Sequence, residues 1–142
     1  MTETAATGSG APRRHLQSAG AVLAGFLLIL ILTIPTDQAL HAAGVYPPWG
    51  EPMHETALNL LALSYRLIYA IAGGLAAAWL APRAPVVHAL VLGGIGTVVA
   101  GLGAAAAISA GMGPVWFPLA LVATALPCAW LGGLAHGLLR RG

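Results

Sequence analysis

Charged residues divide the chain into long apolar stretches. Apart from Arg66, residues 15–36, 56–82 and 84–139 contain no Asp, Glu, Lys or Arg. Because a bilayer core of about 30 Å requires about 20 apolar residues of helix, each of the first two stretches is long enough for one span. The third is long enough for two spans and is broken at Gly111-Met112-Gly113-Pro114. The pattern predicts four membrane helices, at residues 17–35, 57–80, 86–110 and 115–138.

Composition agrees with an all-α membrane protein, a four-transmembrane-helix bundle. Charged residues make up 7% of the chain and hydrophobic residues 58%, whereas a soluble domain carries about 25% charged residues. Such a chain cannot cover a water-facing surface, which excludes a soluble globular enzyme and makes the lipid bilayer its first partner. With no lysine and a net charge of +2, it has no basic surface for nucleic acid. Cys128 is the only cysteine, which excludes a disulfide scaffold.

Arginine placement predicts the orientation of the four helices. Residues 36–56 and 111–114, on one side of a four-span chain, contain no arginine. Five of the six arginines fall on the other side, at Arg13, Arg14, Arg83, Arg140 and Arg141. Because arginine is enriched on the cytoplasmic side, both termini are predicted to be cytoplasmic (N-in/C-in). The first apolar run is longer than the 7–15 residues of a signal peptide, so we expect a retained helix.

The tail and the first outer loop differ in composition. Residues 1–15 are small and polar and are predicted to be a disordered cytoplasmic tail, which leaves residues 16–142 as a single four-helix membrane domain. The outer loop, residues 36–56, is rich in proline and aromatic residues. We expect Pro35 to open a short helix there and Gly44 to close it. Three prolines between residues 47 and 52 predict stiff, extended backbone after it.

Residues at helical spacing predict which helix faces lie inside the bundle. On the second helix the predicted interior face is Asn59, Ala62, Arg66, Tyr69, Gly73 and Ala77. On the third it is Gly93, Gly96, Ala100, Gly103, Ala107 and Gly111. Because small residues let helix backbones approach closely, the third helix is predicted to be central and tightly packed, and Gly96→Leu to damage folding.

Arg66 is the most informative single residue. It lies about ten residues inside the second helix, or about 15 Å at 1.5 Å per residue, and a charge at the bilayer centre costs about 2.5–3.5 kcal/mol on insertion scales. Helical side chains lean towards the N-terminus, which directs its guanidinium towards Asp37, just past the outer end of the first helix. An Asp37–Arg66 pair that pins two helices is one interpretation. A substrate or anion site, built from Arg66 with Asp37, Asn59 and Tyr69, is the alternative.

Several histidines are weaker candidates. His41, His54 and Glu55, together with Glu51, offer ligands of the kind that bind divalent metals, but their spacing matches no metal motif. We interpret them as solvated loop residues and predict no metal. His88 and His136 lie at similar depth on neighbouring helices, as haem ligands do, but they are interpreted as interfacial. No cofactor is predicted.

Parts of the chain resemble a group of small bacterial four-helix membrane proteins. The similar residues are Thr36-Asp37, Leu40-His41, Gly44–Pro48, Ala62–Arg66, Tyr69 and Gly73-Gly74, then Ala81–Leu90 and Leu126–Gly133. The resemblance covers most of residues 16–139. It implies a four-span topology in the bacterial inner (plasma) membrane. The group has no assigned activity, so the resemblance implies no catalytic residues.

Three functions remain open at this stage. A structural or interaction protein, such as an accessory subunit with a membrane-protein partner or a second copy of itself, accounts for the scarcity of polar groups in the last two helices. A small transporter or channel would use Arg66 and Asp37 as its polar site. However, residues 15–36 contain no acidic residue of the kind small four-helix exporters place in their first helix. The third possible function is that of a cofactor-dependent membrane enzyme component. The sequence as a whole does not favour an enzyme.

Overall fold

The computed structural model describes residues 10–142, with side chains from residue 12 onward. This part of the chain contains four α-helices: α1 at Gly10–Ala42, α2 at Thr56–Leu80, α3 at Pro85–Ser109 and α4 at Trp116–Leu139. Each is long and apolar enough to cross a membrane. The predicted all-α, four-helix architecture is therefore confirmed. Of the predicted disordered tail, residues 1–9 lie outside the described residues, while residues 10–15 belong to α1.

The first helix is longer at both ends than the sequence pattern predicts. Pro35 does not open a new helix but lies inside α1, which continues to Ala42. The proline removes one backbone donor, and the next residue, Thr36, donates its hydroxyl to the Leu32 carbonyl (2.7 Å) within the same turn. The helix ends before Gly44, whose φ of +69° suits glycine. Asp37 therefore lies within the last turns of α1 and not beyond its end.

The helices do not all pack against one another. Both α2 and α3 pack against the other three helices, whereas in the part of the chain that the structure describes no Cα atom of α1 lies within 8 Å of a Cα atom of α4. The most extensive packing is that of α4 against α3 and α2, while α1 packs mainly on α2 and is separated from α4. The Asp37 end of the bundle holds the α1–α2 and α3–α4 loops, and the opposite end holds the α2–α3 loop.

Glycines mark the closest helix contacts. A Cβ added at Gly25 would lie 2.6 Å from the Gly73 carbonyl oxygen, which places the α1–α2 crossing at this pair. A Cβ at Gly132 would overlap the Ile71 carbonyl oxygen, at the α2–α4 crossing. Between α3 and α4, a Cβ at Gly133 would lie 2.8 Å from the Ala89 Cβ. These contacts are closer than any other residue allows, as expected where membrane helices pack through small residues.

The predicted interior face of α2 agrees with the structure for four of its six residues. Asn59, Ala62, Gly73 and Ala77 are buried. On the opposite face, Leu61, Ile68 and Trp79 are exposed, whereas Ile71 and Leu75 are half-buried beside α4. Many other large apolar side chains also point outward from the bundle, which in a membrane places them against lipid.

The stripe predicted for α3 faces α4 as far as Ala107, but its second half lines cavities instead of packing tightly. Gly93 is buried against α4, but a Cβ at Gly96 would meet only the Ala125 Cβ, at an ordinary 3.8 Å. A Cβ at Gly103 would meet nothing within 4 Å. In this half of α3 the buried residue is Ala104, outside the stripe, so spacing alone does not identify which small residues lie at a contact. The expectation that Gly96→Leu disrupts a tight contact has no basis in this packing.

Candidate functional site

The centre of the candidate site is an ion pair between α1 and α2. Nη2 of Arg66 donates to Oδ2 of Asp37 at 2.5 Å, and the two side chains are 26% and 16% exposed. The predicted Asp37–Arg66 pair is thereby confirmed. It forms because α1 continues past Pro35 and brings the carboxylate alongside α2. An ion pair in this position offsets part of the penalty of placing a charge within a membrane span.

A chain of tyrosine hydroxyls reaches the other oxygen of the same carboxylate. Tyr65 donates its hydroxyl hydrogen to Oδ1 of Asp37. The hydroxyl of Tyr46 lies 3.3 Å from that of Tyr65. Because a tyrosine has one hydroxyl hydrogen and Tyr65 uses it on Asp37, Tyr46 must donate to Tyr65. The direction Tyr46 to Tyr65 to Asp37 is therefore fixed, and both carboxylate oxygens accept a hydrogen bond.

Tyr69 forms a second tie between α1 and α2, beside the ion pair. Its hydroxyl lies 2.9 Å from Oγ1 of Thr36. Since Thr36 donates its only hydroxyl hydrogen to Leu32, Tyr69 is the donor in this contact. The candidate residue Tyr69 is thus close to the Asp37–Arg66 pair, with its ring 5.6 Å from that of Tyr65, and its hydroxyl hydrogen is already used.

The guanidinium of Arg66 also contacts aromatic rings from two helices. Its Cζ lies 5.3 Å from the ring centroid of Tyr65 and 5.9 Å from that of Phe117, on α4. Both distances fall within the range of cation–π attraction. Arg66 therefore joins α1, α2 and α4 at one point.

Arg66 lines two cavities. One, of about 180 Å³, lies towards the α1–α2 loop and also contains Asp37, Tyr46 and Phe117 in its wall. The other, of about 280 Å³, lies between the four helices and is lined almost wholly by apolar groups. The Arg66 side chain thus stands between a more polar space near the loop and an apolar space within the bundle.

Asn59 does not join this group, although the sequence places it on the same helix face. Its buried amide Nδ2 donates to the carbonyl oxygens of Met53 (3.0 Å) and Glu55 (2.9 Å). It lies two helical turns, or about 11 Å, before Arg66 along α2. Its contacts fasten the end of the α1–α2 loop, and Met53 in turn donates its backbone N–H to the Met112 carbonyl (2.9 Å) in the α3–α4 loop.

The loop candidates lie around an open cleft. His41, His54 and Glu55 all line this space of about 680 Å³. Nδ1 of His41 lies 2.7 Å from the Pro47 carbonyl oxygen, which can only accept, so Nδ1 carries the proton. The ring of His41 lies 3.8 Å from that of Trp49. Among residues 12–142, no three His, Cys, Asp or Glu side chains come together as metal ligands.

The two histidines near the α2–α3 loop have separate surroundings. His136, whose position at the membrane interface stays a prediction, is buried within the bundle, with its ring 6.0 Å from that of Trp79 on α2. The reason is the close α2–α4 crossing at Gly132, one turn before it. Nδ1 of His88 lies 3.2 Å from the carbonyl oxygen of Ala84, the residue that precedes α3.

Sequence reasoning missed four residues of this site: Thr36, Tyr46, Tyr65 and Phe117. Tyr65 precedes Tyr69 by four residues and follows Ala62 by three, so it shares their helix face, and this spacing was the available signal. The other three come from α1, the α1–α2 loop and α4, and no local spacing indicates that they approach Tyr69, Tyr65 and Arg66 respectively.

Comparison with protein-family models, with curated proteins and with solved structures found no match to this chain.

Proposed function

We propose that this chain is a structural or accessory subunit of a bacterial inner membrane, with both termini in the cytoplasm. The main observation in support of this proposal is the Asp37–Arg66 ion pair, in which both carboxylate oxygens of Asp37 accept hydrogen bonds from α2. Such an arrangement fixes the relative position of two helices, and breaking it leaves a charge without a partner. The resemblance to small four-helix bacterial membrane proteins supports the same location.

The other polar side chains at this end support a structural role. Tyr69 ties α2 to α1 through Thr36, and Asn59 ties the start of α2 to the loop. Together with the Met53–Met112 backbone bond, these contacts join both loops at this end into one unit. A rigid end of this kind suits a protein that holds a neighbour or a second copy in position.

A small transporter or channel is the second candidate, favoured by one observation. Arg66 lines both the cavity near the loop and the apolar cavity between the helices. A solute passing between these spaces would have to pass this side chain. The pathway would then require the Asp37–Arg66 pair to open during transport.

Purification in mild detergent, with a tag after residue 142, tests the structural role. We expect one membrane protein, or a second copy, to co-purify in fixed stoichiometry and to remain after crosslinking and blue-native electrophoresis. A monomer without a stoichiometric partner would contradict the proposal. An absorption spectrum of the same sample checks for a bound chromophore, which would indicate the enzyme-component alternative.

Proteoliposomes distinguish the second candidate. The wild-type protein and Asp37→Asn/Arg66→Met are reconstituted with a pH-sensitive dye inside, or with a chloride-sensitive dye. We expect no protein-dependent flux from either. Flux that the wild type supports and the double variant lacks would favour the transporter.

A further inference from the structure

The apolar cavity between the four helices lies in the gap that separates α1 from α4. Its wall includes Phe26 and Thr33 from α1, Ala70 from α2, Gly96 from α3 and Thr124 from α4, and Arg66 closes its end towards Asp37. The hydroxyl of Thr124 is used within its own helix, where it donates to Ala120. The space is thus apolar along its length and polar at one end.

Arg66, at the polar end of this cavity, has N–H groups that donate no hydrogen bond to the described protein. A guanidinium has five N–H groups, and in the part of the chain that the structure describes Arg66 donates one hydrogen bond, to Asp37. Thr33 in the same wall has a buried hydroxyl oxygen without a hydrogen-bond partner among the described residues. Donors without acceptors are costly in a membrane interior, because no bulk water is present to accept from them.

The size and charge of the space restrict what fits it. A cavity of about 280 Å³ is at the lower limit of pockets for drug-sized ligands, which begin at about 300 Å³, and so suits a single hydrocarbon chain. An apolar cavity does not hold water well, whereas lipid chains surround this one. The charges of Arg66 and Asp37 cancel, so the free N–H groups favour a neutral acceptor such as a carbonyl oxygen over an anion, which Asp37 would repel.

We propose that this cavity binds one chain of a neutral ester lipid, with a lipid carbonyl oxygen accepting a hydrogen bond from Arg66. The lipid would fill the gap between α1 and α4 and satisfy a donor that the protein leaves free. This goes beyond the structural role proposed above and does not depend on a protein partner.

Photo-labelling in vesicles tests the site. The protein is reconstituted in phosphatidylcholine vesicles containing a diacylglycerol with a diazirine in one acyl chain, or, in parallel, a diazirine-bearing fatty acid as the anionic probe. Labelled peptides are mapped by mass spectrometry. We expect the diacylglycerol to label cavity-wall residues such as Leu67, Ala70 and Leu121 more strongly than exposed residues such as Leu102.

Two leucine substitutions on α3 give a matched pair. Gly96 lines the cavity, and a Cβ there lies at an ordinary 3.8 Å from its nearest neighbour, so Gly96→Leu directs its added atoms into this space. Gly94→Leu adds the same side chain where nothing lies within 4 Å. We expect cavity labelling to fall about tenfold in Gly96→Leu, because the added side chain occupies the volume of the lipid chain, and to be unchanged in Gly94→Leu.

The role of Arg66 is measured with Asp37→Asn/Arg66→Met, which removes the donors and both charges together. Loss of one hydrogen bond from a charged donor corresponds to about a 13- to 160-fold decrease in cavity labelling. Cavity labelling no stronger than that of exposed residues, equal loss in both leucine variants, or stronger labelling by the fatty acid would each overturn the proposal. Should the double variant not fold, the leucine pair and the fatty-acid comparison still decide the question.

Discussion

Asp37 is the residue at which the α1–α2 end of the bundle is held together. Its carboxylate accepts from Arg66 on one oxygen and from Tyr65 on the other, so an acid on α1 is bound twice by α2. Both side chains of the ion pair are mostly buried. In such a pair, removal of one partner is more damaging than removal of both, because the remaining charge has lost its compensation.

We therefore expect Asp37→Asn and Arg66→Met each to lower the free energy of unfolding by about 3–5 kcal/mol, and the double variant to recover part of that loss. Thermal unfolding in detergent, followed by circular dichroism, measures all four proteins of the cycle. Strictly additive losses in the double variant would show that the two side chains are not coupled.

Because the direction of the hydrogen bonds from Tyr46 through Tyr65 to Asp37 is fixed, we expect Tyr65 to contribute more to stability than Tyr46. Tyr65→Phe removes a hydrogen bond to a charged carboxylate, for which we expect a loss of about 1.5–3 kcal/mol; Tyr46→Phe removes one between neutral hydroxyls, for which we expect about 0.5–1.5 kcal/mol. The same unfolding measurement compares them. Ser64→Ala is the control, since Ser64 bonds only its own helix at an exposed position. The reverse order of the two tyrosines would contradict the assigned direction.

At the scale of helices, the length and apolar character of all four spans could be predicted from the sequence, because charge gaps and span length are local properties. The end of α1 could not. In the sequence, Pro35 predicts the start of a new helix. In the structure, α1 continues through Pro35 to Ala42, supported by packing against α2 and by the Thr36–Leu32 hydrogen bond. Similarly, helical spacing predicts both Gly93 and Gly96 to lie at a helix contact. Only Gly93 is in close contact with α4, and this depends on the path of α4.

The same reasoning separates two glycines of α4, Gly132 and Gly137. Gly132→Ala would place a Cβ against the backbone of α2 at Ile71, so we expect a loss of about 1–3 kcal/mol from overpacking, or failure to fold. Gly137→Ala meets nothing within 4 Å, and we expect it to be neutral or to stabilise by up to about 1 kcal/mol, since alanine is the better helix former. Expression level and unfolding temperature in detergent measure both. Equal effects would contradict the α2–α4 crossing at Gly132.

At the scale of the whole molecule, the ion pair shows where sequence reasoning reaches its limit. Arg66 and Asp37 could be matched because each is the nearest opposite charge at the right depth. Phe117 and Tyr46 could not be assigned to the same site, because neither charge nor helical spacing links them to Arg66. Asn59 shares a helix face with Arg66 but donates to the Met53 carbonyl instead, because the path of the α1–α2 loop, which helical spacing does not specify, brings that carbonyl to it.

The distribution of arginine leads to a prediction for the molecule as a whole. Four spans place residue 50, in the α1–α2 loop, and residue 142 on opposite sides of the membrane. Arg83, Arg140 and Arg141 lie on the side of residue 142, and residues 43–55 contain Glu51 and Glu55 but no arginine. Because arginine is retained in the cytoplasm, we expect alkaline phosphatase fused after residue 50 to be active and the fusion after residue 142 to be inactive, with the opposite result for green fluorescent protein. A fusion at residue 82, in the α2–α3 loop, is the control and should behave as residue 142 does. Activity of the same reporter at residues 50 and 142 would exclude four spans, and the reversed pattern would place both termini outside.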